Sequence, residues 1–502
     1  MERFKEIDKL TQVVLEQVAR LALQNKLKDE VDGLPYLIIN REQPVYRCCV
    51  YHERAVVAER IKLAMGLDRR KGPSYQRLSE VVDQALALER PAEPVITVID
   101  SACEACPSDR FMVTDACRNC MAHACQSVCP KQAIVIANQR AYINQDACIE
   151  CGKCAEVCPF HAIAEVIRPC MRACRVGAIQ GSRGRKTIID YRKCVACGHC
   201  MRACPFGAVA EKSEIVQVIS LLKREAPVYA IVAPSFIGQF GREVSPESLR
   251  TAFRGLGFTD MVEVALGADL VTLDEAQEFI ELIPKHQQFA INSCCSAFRT
   301  LVEKQHPKIK DSLFNSLSPM VVTGQLLKKK NPLARVVFIG PCVAKKMESL
   351  QGAGREAIDG VLTFEEMLAI FRAASLDLTQ VDNCQKEEWE SSRTGRLFAR
   401  TGGMTEALIS TIKKIEPEKL VEPVRAEGLD NCEKLLRMAE NNRLKGNLIE
   451  GMACTGGCVG GPGTLIKEVV ATKLVNDYSQ KSAYFYSMDN PRLKDRPVKL
   501  EN

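Results

Sequence analysis

The chain has 502 residues, 46% of them hydrophobic, and 68 Lys and Arg against 62 Asp and Glu, for a formal net charge of +6. That length allows roughly two to four domains of ordinary globular composition, and no stretch approaches the ~20 apolar residues of a membrane span. The opening MERFKEIDKL lacks the apolar run of an export signal, so its 25 cysteines are expected in the reducing cytoplasm, where they point to metal rather than to disulfides.

Residues 1–95 read as a mainly helical region. Apolar positions recur at three- and four-residue spacing in KEIDKLTQVVLEQVARLAL and again in SEVVDQALAL, with a strand-like LPYLIIN between them. The following YRCCVYHERAVVAERI holds Cys48, Cys49 and His52, a possible small metal group. ERPAEPV marks a boundary near residues 89–95, and residues 96–212 are cysteine-dense, with short strands and turns. From Ser213 to about residue 480, strands and helices alternate, as in PVYAIVAPSF, DMVEVAL, QFAINSCC and ARVVFIGPC, which predicts an α/β domain. Residues 481–502 are charged and expected to be peripheral.

Sixteen cysteines lie between Cys103 and Cys204, enough for four sets of four. Bacterial ferredoxins bind [4Fe–4S] clusters through C-x2-C-x2-C-x3-C-P, and in two-cluster forms the last cysteine serves the other cluster. Cys148, Cys151, Cys154 and Cys158 fit that run, and Cys117, Cys120, Cys125 and Cys129 fit it with two extra residues. Crossing the last ligands predicts one cluster on Cys117, Cys120, Cys125 and Cys158 and a second on Cys148, Cys151, Cys154 and Cys129. Cys194, Cys197, Cys200 and Cys204 form another complete run, whose partner half is split into Cys103-x2-Cys106 and Cys170-x3-Cys174. RVGAI after Cys174 resembles PFGAV after Cys204 and PFHAI after Cys158. One two-cluster unit (117–158) is therefore read as inserted in another (103–106 plus 170–204). This predicts a third cluster on Cys103, Cys106, Cys170 and Cys204 and a fourth on Cys194, Cys197, Cys200 and Cys174. Zinc also accepts four thiolates, but the tandem repeats and the prolines favour iron–sulfur clusters.

Between Glu165 and Lys212 ten Lys and Arg stand against three Asp and Glu, including Arg168, Arg172, Arg175, Arg183, Arg185, Lys186, Arg192, Lys193, Arg202 and Lys212. This charge either compensates anionic clusters or forms a docking patch for an acidic carrier such as a small ferredoxin. No recognition helix or aromatic stacking motif accompanies it, so nucleic acid is not expected.

Five further cysteines sit at three predicted strand-end loops: Cys294 and Cys295 in INSCCSAF, Cys342 in FIGPCVAKKME, and Cys454 and Cys458 in GMACTGGCVGGPGT. Consecutive Cα atoms lie about 3.8 Å apart, too close for an ordinary disulfide, so the adjacent pair is expected to do two different jobs. Four thiols suffice for one cubane, which leaves one over. Cys384 and Cys432 are read as structural.

These three segments resemble the signature loops of monomeric [FeFe]-hydrogenases, T-S-C-C-P, M-P-C-x-x-K-K-x-E and M-A-C-x-G-G-C, and the resemblance covers roughly residues 96–470. It implies a two-lobed α/β catalytic domain, preceded by ferredoxin-like α+β modules and the helical N-terminal region. It also implies a cytoplasmic, anaerobic enzyme catalysing 2H⁺ + 2e⁻ ⇌ H2, with electrons relayed through four [4Fe–4S] clusters from a ferredoxin. Carried over, Cys295, Cys342, Cys454 and Cys458 would hold the cubane of an H-cluster, with Cys458 bridging to a two-iron subcluster bearing CO, CN⁻ and a dithiolate amine. Cys294 would be the proton-carrying thiol and Lys345 a partner of a cyanide ligand. Ala233, Pro234, Ser235 and Met452 would line the pocket, Glu348 would organise its loop, and Glu275 and Glu278 would relay protons. Such a site implies dedicated maturation proteins.

The chain departs from the family pattern at Ser296 and Phe298, where proline and tryptophan are usual, at Gly340 in place of methionine, and at Leu282, where an arginine is common, or else that arginine is displaced by a one-residue gap. The resemblance also implies a relay serine, expected among Ser312, Ser316 and Ser318. The departures point to a divergent clade, the one called group B. Two rivals remain. One is a non-catalytic relative in iron–sulfur assembly, which would need neither Cys294, Lys345 nor Met452. The other is a hydrogen sensor, a class expected to carry an appended signalling domain.

Overall fold

β-Branched runs in Val228–Val232 and Arg335–Gly340 form the middle of a four-stranded parallel sheet, ordered Asp260–Glu263, Val228–Val232, Arg335–Gly340, Gly360–Thr363. Val336, Val337, Ile339, Ile231 and Val232 have essentially no exposed surface, as a parallel sheet covered by helices on both faces requires. A second parallel sheet has three strands, ordered Ala290–Ile291, Leu448–Met452, Pro423–Glu427. The structure, a computed structural model, describes residues 5–68, 76–103, 106–107, 110–181, 186–379, 390–491 and 493; Cys384, Arg183 and Arg185 lie outside the described residues.

The carboxyl ends of these strands carry the segments of chemical interest. Ala233–Ser235 follows Val232, Cys342 follows Gly340, Cys294 and Cys295 follow Ile291, and Cys454 and Cys458 follow Met452. In open parallel sheets, the crevice outside the carboxyl ends is where ligands bind. The long helix Ala265–Leu282 is buried along most of its length and brings Glu275 and Glu278 to the second sheet's side.

In the cysteine-dense region every strand belongs to a two-stranded antiparallel pair. Ile134–Ala137 pairs with Arg140–Ile143, and Phe111–Val113 pairs with Ile163–Glu165 around it. Ile179–Gly181 pairs with Thr187–Ile189, while Ile96–Val98 pairs with Val209–Glu211 and encloses all the rest.

The N-terminal region is helical, with Lys5–Leu23, Val50–Ala64 and Ser79–Ala87 as its longest elements. The strand-like LPYLIIN is instead a short helix, Leu34–Ile38, with Pro35 in its first turn, where the missing N–H costs nothing and φ is preset for a helix. These helices do not close a core of their own. Val14, Val18, Leu21 and Ile61 share one apolar cluster with Ile219, Phe364, Ile370 and Phe371 of the four-stranded lobe.

The expectation of a peripheral tail is corrected for the described part of 481–502. Ser487 has no exposed surface and Asn490 is 1% exposed. Ser487 Oγ donates to Asp269 Oδ1 at 2.8 Å, and Ser392 donates through both its backbone N–H and its hydroxyl to the same carboxylate. Burial pushes Asp269 up to about 6 against these donors. A buried carboxylate without them would be far costlier, which is why the tail is drawn inward.

Candidate functional site

The four thiols Cys295, Cys342, Cys454 and Cys458 converge where the two sheets' loops meet. Burial and then the charge of Cys295 push Cys342 up to about 11 and Cys458 up to about 12. Burial, followed by the charges of Cys342, Cys295 and Cys458, holds Cys454 well above the ordinary thiol range. Thiols so placed stay protonated unless bound cations displace the protons, and the lysine that opposes them at Cys342 and Cys458 is Lys345. The donor set therefore fits an iron–sulfur cubane, which takes one thiolate at each of four separate irons. Among the described residues no three Cys, His, Asp or Glu side chains close on a single ion. Ser235 Oγ, beyond the end of Val228–Val232, is fully buried with no hydrogen-bond partner among the described residues, and so can serve a group held there.

Cys294 adjoins this group and feels the charges of Cys295 and Cys458. Asn292 Nδ2 donates to its sulfur at 3.3 Å, while burial and then the charge of Glu275 raise it well above an ordinary thiol. Lys345 Nζ donates to the Cys294 carbonyl at 3.2 Å and to Glu348 Oε2 at 2.6 Å. Burial works against the ammonium, but Glu348 and then the Cys342 and Cys294 thiols keep its pKa above the usual lysine value. Glu348 also accepts from the Ser296 hydroxyl. Burial opposes its charge too, yet Lys345 and Ser296 bring its pKa below the carboxylate norm. The residue that breaks the family pattern after the cysteine pair thus serves the second loop.

Glu275 has no exposed surface, and burial pushes it up to about 8. Its Oε1 accepts from Ser316 Oγ at 2.7 Å, and Ser316 Oγ lies 3.1 Å from Ser293 Oγ. Glu278 accepts from the Asn315 side chain at 2.7 Å and from its backbone N–H at 3.2 Å. Burial and then the charges of Asp274 and Glu281 raise its pKa over the opposing Asn315 bonds. Two neighbours in one loop, Asn315 and Ser316, therefore each bind one of the two glutamates. Of the three serines considered, Ser316 is the one bonded to Glu275; Asn315 and Ser293 escaped the sequence reading, having no motif to mark them.

Two of the remaining departures, Gly340 and Phe298, have steric accounts, and nothing in the structure explains Leu282. A Cβ on Gly340 would lie 2.5 Å from the Phe338 ring, which occupies the space a methionine there would need. A Cβ on Gly451 would lie 2.1 Å from the Phe298 ring, so the phenylalanine presses on the strand that leads to the third loop. Met452 is 2% exposed, and its carbonyl accepts from the buried Cys432 thiol at 3.4 Å. The Ala233 N–H donates to Ile339 O at 2.8 Å and ties Ala233–Ser235 to the strand before Cys342.

Cysteines of the ferredoxin-type region lie in groups. One cavity is lined by Cys117, Cys120, Cys125 and Cys158, another by Cys129, Cys148, Cys151 and Cys154. Burial and then the charges of Cys204, Cys103 and Cys106 push Cys170 up to about 11. Cys200 lies within reach of the charges of Cys197, Cys194, Cys174 and Cys170. The sulfurs of Cys129, Cys158, Cys174 and Cys204 each accept an N–H from the residue four positions on, at 3.2–3.3 Å: Ala133, Ala162, Ala178 and Ala208. Cys174, which no proline follows, is thereby equivalent to the other three. The Cys197 thiol feels Cys342 as well, and Cys454 feels Cys197, so the Cys194–Cys204 loop adjoins the terminal site.

The basic stretch is not one surface. Arg168 and Lys212 are buried, donating to Pro107 O at 3.2 Å and Ala92 O at 2.9 Å, and Arg202 donates to Gly460 O and Gly461 O at 3.2 and 3.1 Å. Arg172, Lys186, Arg192 and Lys193 remain exposed. Cys48 Sγ lies 3.4 Å from His52 Nδ1 and 3.9 Å from Cys49 Sγ at the surface. Among the described residues no helix is long and apolar enough to cross a membrane.

Residues 226–462 match the family described as iron only hydrogenase large subunit, C-terminal domain, and residues 141–164 and 187–210 match the 4Fe-4S binding domain. The chain is 27% identical over 395 residues to iron hydrogenase 1 of Clostridium pasteurianum, covering 68% of each protein. It spans just under half of two other hydrogenase subunits that it matches. It is also 24% identical over 164 residues to a cytosolic Fe-S cluster assembly factor of Kluyveromyces lactis, covering 30% of this chain and 34% of that one. A solved variant of the [FeFe]-hydrogenase HydA1 from Chlamydomonas reinhardtii aligns at 20% identity with a TM-score of 0.48, over 56% of this chain and 93% of that one. Over residues 226–462, with 4Fe-4S binding domains ahead of them, the chain is a member of the iron only hydrogenase large-subunit family.

Proposed function

We propose that this protein is a cytoplasmic, ferredoxin-linked hydrogenase catalysing 2H⁺ + 2e⁻ ⇌ H2. Cys295, Cys342, Cys454 and Cys458 would hold the cubane of the H-cluster, with Cys458 shared with a two-iron unit bearing CO, CN⁻ and a dithiolate amine. When bound, that group supplies the open metal site at which H2 is made or split. The chain's own residues handle the protons. Cys294 holds one at its sulfur, Glu275 takes it up at a carboxyl that exchanges near neutral pH, and Ser316 connects Glu275 to the loop that binds Glu278. Lys345, fixed by Glu348, presents a permanent ammonium to anionic ligands without competing for iron. Ser235 and Met452 would line the pocket.

Four [4Fe–4S] clusters would carry electrons inward, the nested strand pairs supporting one two-cluster unit inserted in another. The exposed Arg172, Lys186, Arg192 and Lys193 suit an acidic carrier such as a ferredoxin, and loading the site would require maturation proteins. The observation that carries the catalytic reading is the buried Glu275–Ser316 pair acting on Cys294, a thiol outside the cubane set.

The similarity to a cytosolic assembly factor favours a second reading, a cluster-bearing relative without the two-iron unit. Infrared spectroscopy of anaerobically matured protein, with an H2 assay, separates them. CO and CN⁻ bands with turnover are expected, and Cys294→Ala should keep the bands but lose turnover, whereas Cys295→Ala should lose the bands. No bands after competent maturation would favour the assembly relative; bands with negligible turnover would favour a sensor.

A further inference from the structure

The reaction above makes no use of the N-terminal helices, yet they press a buried cation onto one ferredoxin turn. Arg60, on the helix Val50–Ala64, is 8% exposed. Its Nη2 donates to Gly207 O at 2.6 Å and to Phe206 O at 3.5 Å, in the turn directly after Cys204. The approach is so close that a Cβ on Gly207 would stand 2.4 Å from that nitrogen. Arg47, just before the same helix, donates to Ala102 O at 3.1 Å, next to Cys103, and its guanidinium lies 5.3 Å from the centre of the Phe206 ring. Both cations therefore grip backbone beside ligands of one proposed cluster.

Among the described residues no hydrogen bond or ion pair joins Arg60 to a carboxylate. Burial lowers it to about 10, so it stays protonated at neutral pH, and the charges that act on it are those of Cys204 and Arg47. Its Nε has no acceptor among the described residues. A buried guanidinium without a carboxylate needs a counter-charge. The negative charge that acts on it is that of Cys204, a ligand of the proposed cluster, whose negative charge grows by one when it is reduced. Unlike the exposed arginines and lysines of the 165–212 stretch, a cation at this depth is barely screened by salt.

We infer that the N-terminal helical region sets the reduction potential of the cluster on Cys103, Cys106, Cys170 and Cys204, with Arg60, backed by Arg47, as the buried positive charge that favours its reduced form. Arg60 is a tuning residue in this role, and the inference rests on the cluster assignment under Proposed function.

The test is an EPR-monitored redox titration of the full-length protein loaded with its clusters, with the signal missing from Cys103→Ala identifying the cluster concerned. Arg60→Gln should leave iron and sulfide content unchanged and lower the midpoint of that one cluster. At the wild-type midpoint its reduced-to-oxidised ratio should fall roughly tenfold, about 59 mV for one electron. Arg60→Lys, which keeps the charge, should restore most of the shift; a purely structural anchor would move no midpoint. Unchanged midpoints at every cluster in an iron-replete Arg60→Gln protein overturn the inference. If Arg60→Gln loses iron, Arg47→Gln carries the test: the same midpoint must move the same way by a smaller amount, and no movement overturns it. A Cys103→Ala protein with full iron and sulfide content refutes the cluster assignment instead, whatever the arginine variants do.

Discussion

A carboxyl group sealed in a protein interior ionises late because the charged form forfeits its hydration, and Glu275, without exposed surface and pushed up to about 8, is such a group. In the unfolded chain it titrates near the ordinary value of about 4.3. The folded pKa is therefore raised. Between those two values the unfolded state has released a proton that the folded state keeps, so stability falls as pH rises across the window and levels off above it. At pH 7 the deficit is roughly 3–4 kcal/mol. Glu275→Gln keeps an acceptor for Ser316 but cannot ionise. It should be the more stable protein at pH 7 and lose this slope, while turnover drops by about two orders of magnitude. Unfolding midpoints of both proteins at pH 5 and pH 7.5, beside H2 assays, check the pair of effects; parallel pH profiles would mean that Glu275 does not keep its proton. Glu275 could be picked as a candidate from the chain because the resemblance extends to its segment, GADLVTLDEAQEF, outside the three loops. Ser316 and Asn315 could not be singled out, since only the folded loop decides which serine faces which glutamate.

At the scale of single elements, the strand Arg335–Gly340 shows how a departure from a motif is absorbed. Gly340 stands where relatives of this motif carry methionine, and the Phe338 ring fills the space beside it. Gly340→Met should therefore destabilise the protein by about 1–3 kcal/mol or more through overpacking. Phe338→Ala should cost more than that alone but relieve the clash in the double variant, so the two changes should be strongly non-additive in thermal unfolding. Additive losses would mean that the ring does not fill that space. The same strands were legible beforehand because buried parallel strands are continuous apolar runs with few alternatives. The short LPYLIIN run was misread as strand-like because four or five apolar residues have no period, and Pro35 was the one local cue to a helix. Ser487 and Asn490, in a charged tail, gave no hint of burial, because what draws them in is Asp269, more than 200 residues away.

For the whole molecule, the decisive contact is the one that joins the ferredoxin-type region to the terminal site. Spacing groups the inner cysteines, which lie in short stretches, whereas the outer ones are as far apart as Cys103 and Cys204, and spacing says nothing of which loop adjoins the four-thiol site. The structure puts the Cys194–Cys204 loop there: Cys197 feels Cys342, a Cβ on Gly198 would stand 2.9 Å from Pro462, and Arg202 bonds the carbonyls of Gly460 and Gly461. If that junction is the electron entry, loosening it should slow electron delivery without touching proton chemistry. Arg202→Ala removes both hydrogen bonds while sparing every cysteine. It should lower carrier-driven H2 evolution several-fold at unchanged iron content, while isotope exchange between H2 and D2O, which draws no electrons from outside, stays at the wild-type rate. The ratio of the two rates is the quantity to follow. Equal losses in both would place Arg202's effect on the third loop itself, through Gly460 and Gly461, and electron entry would then have to be sought at another face of the ferredoxin-type region.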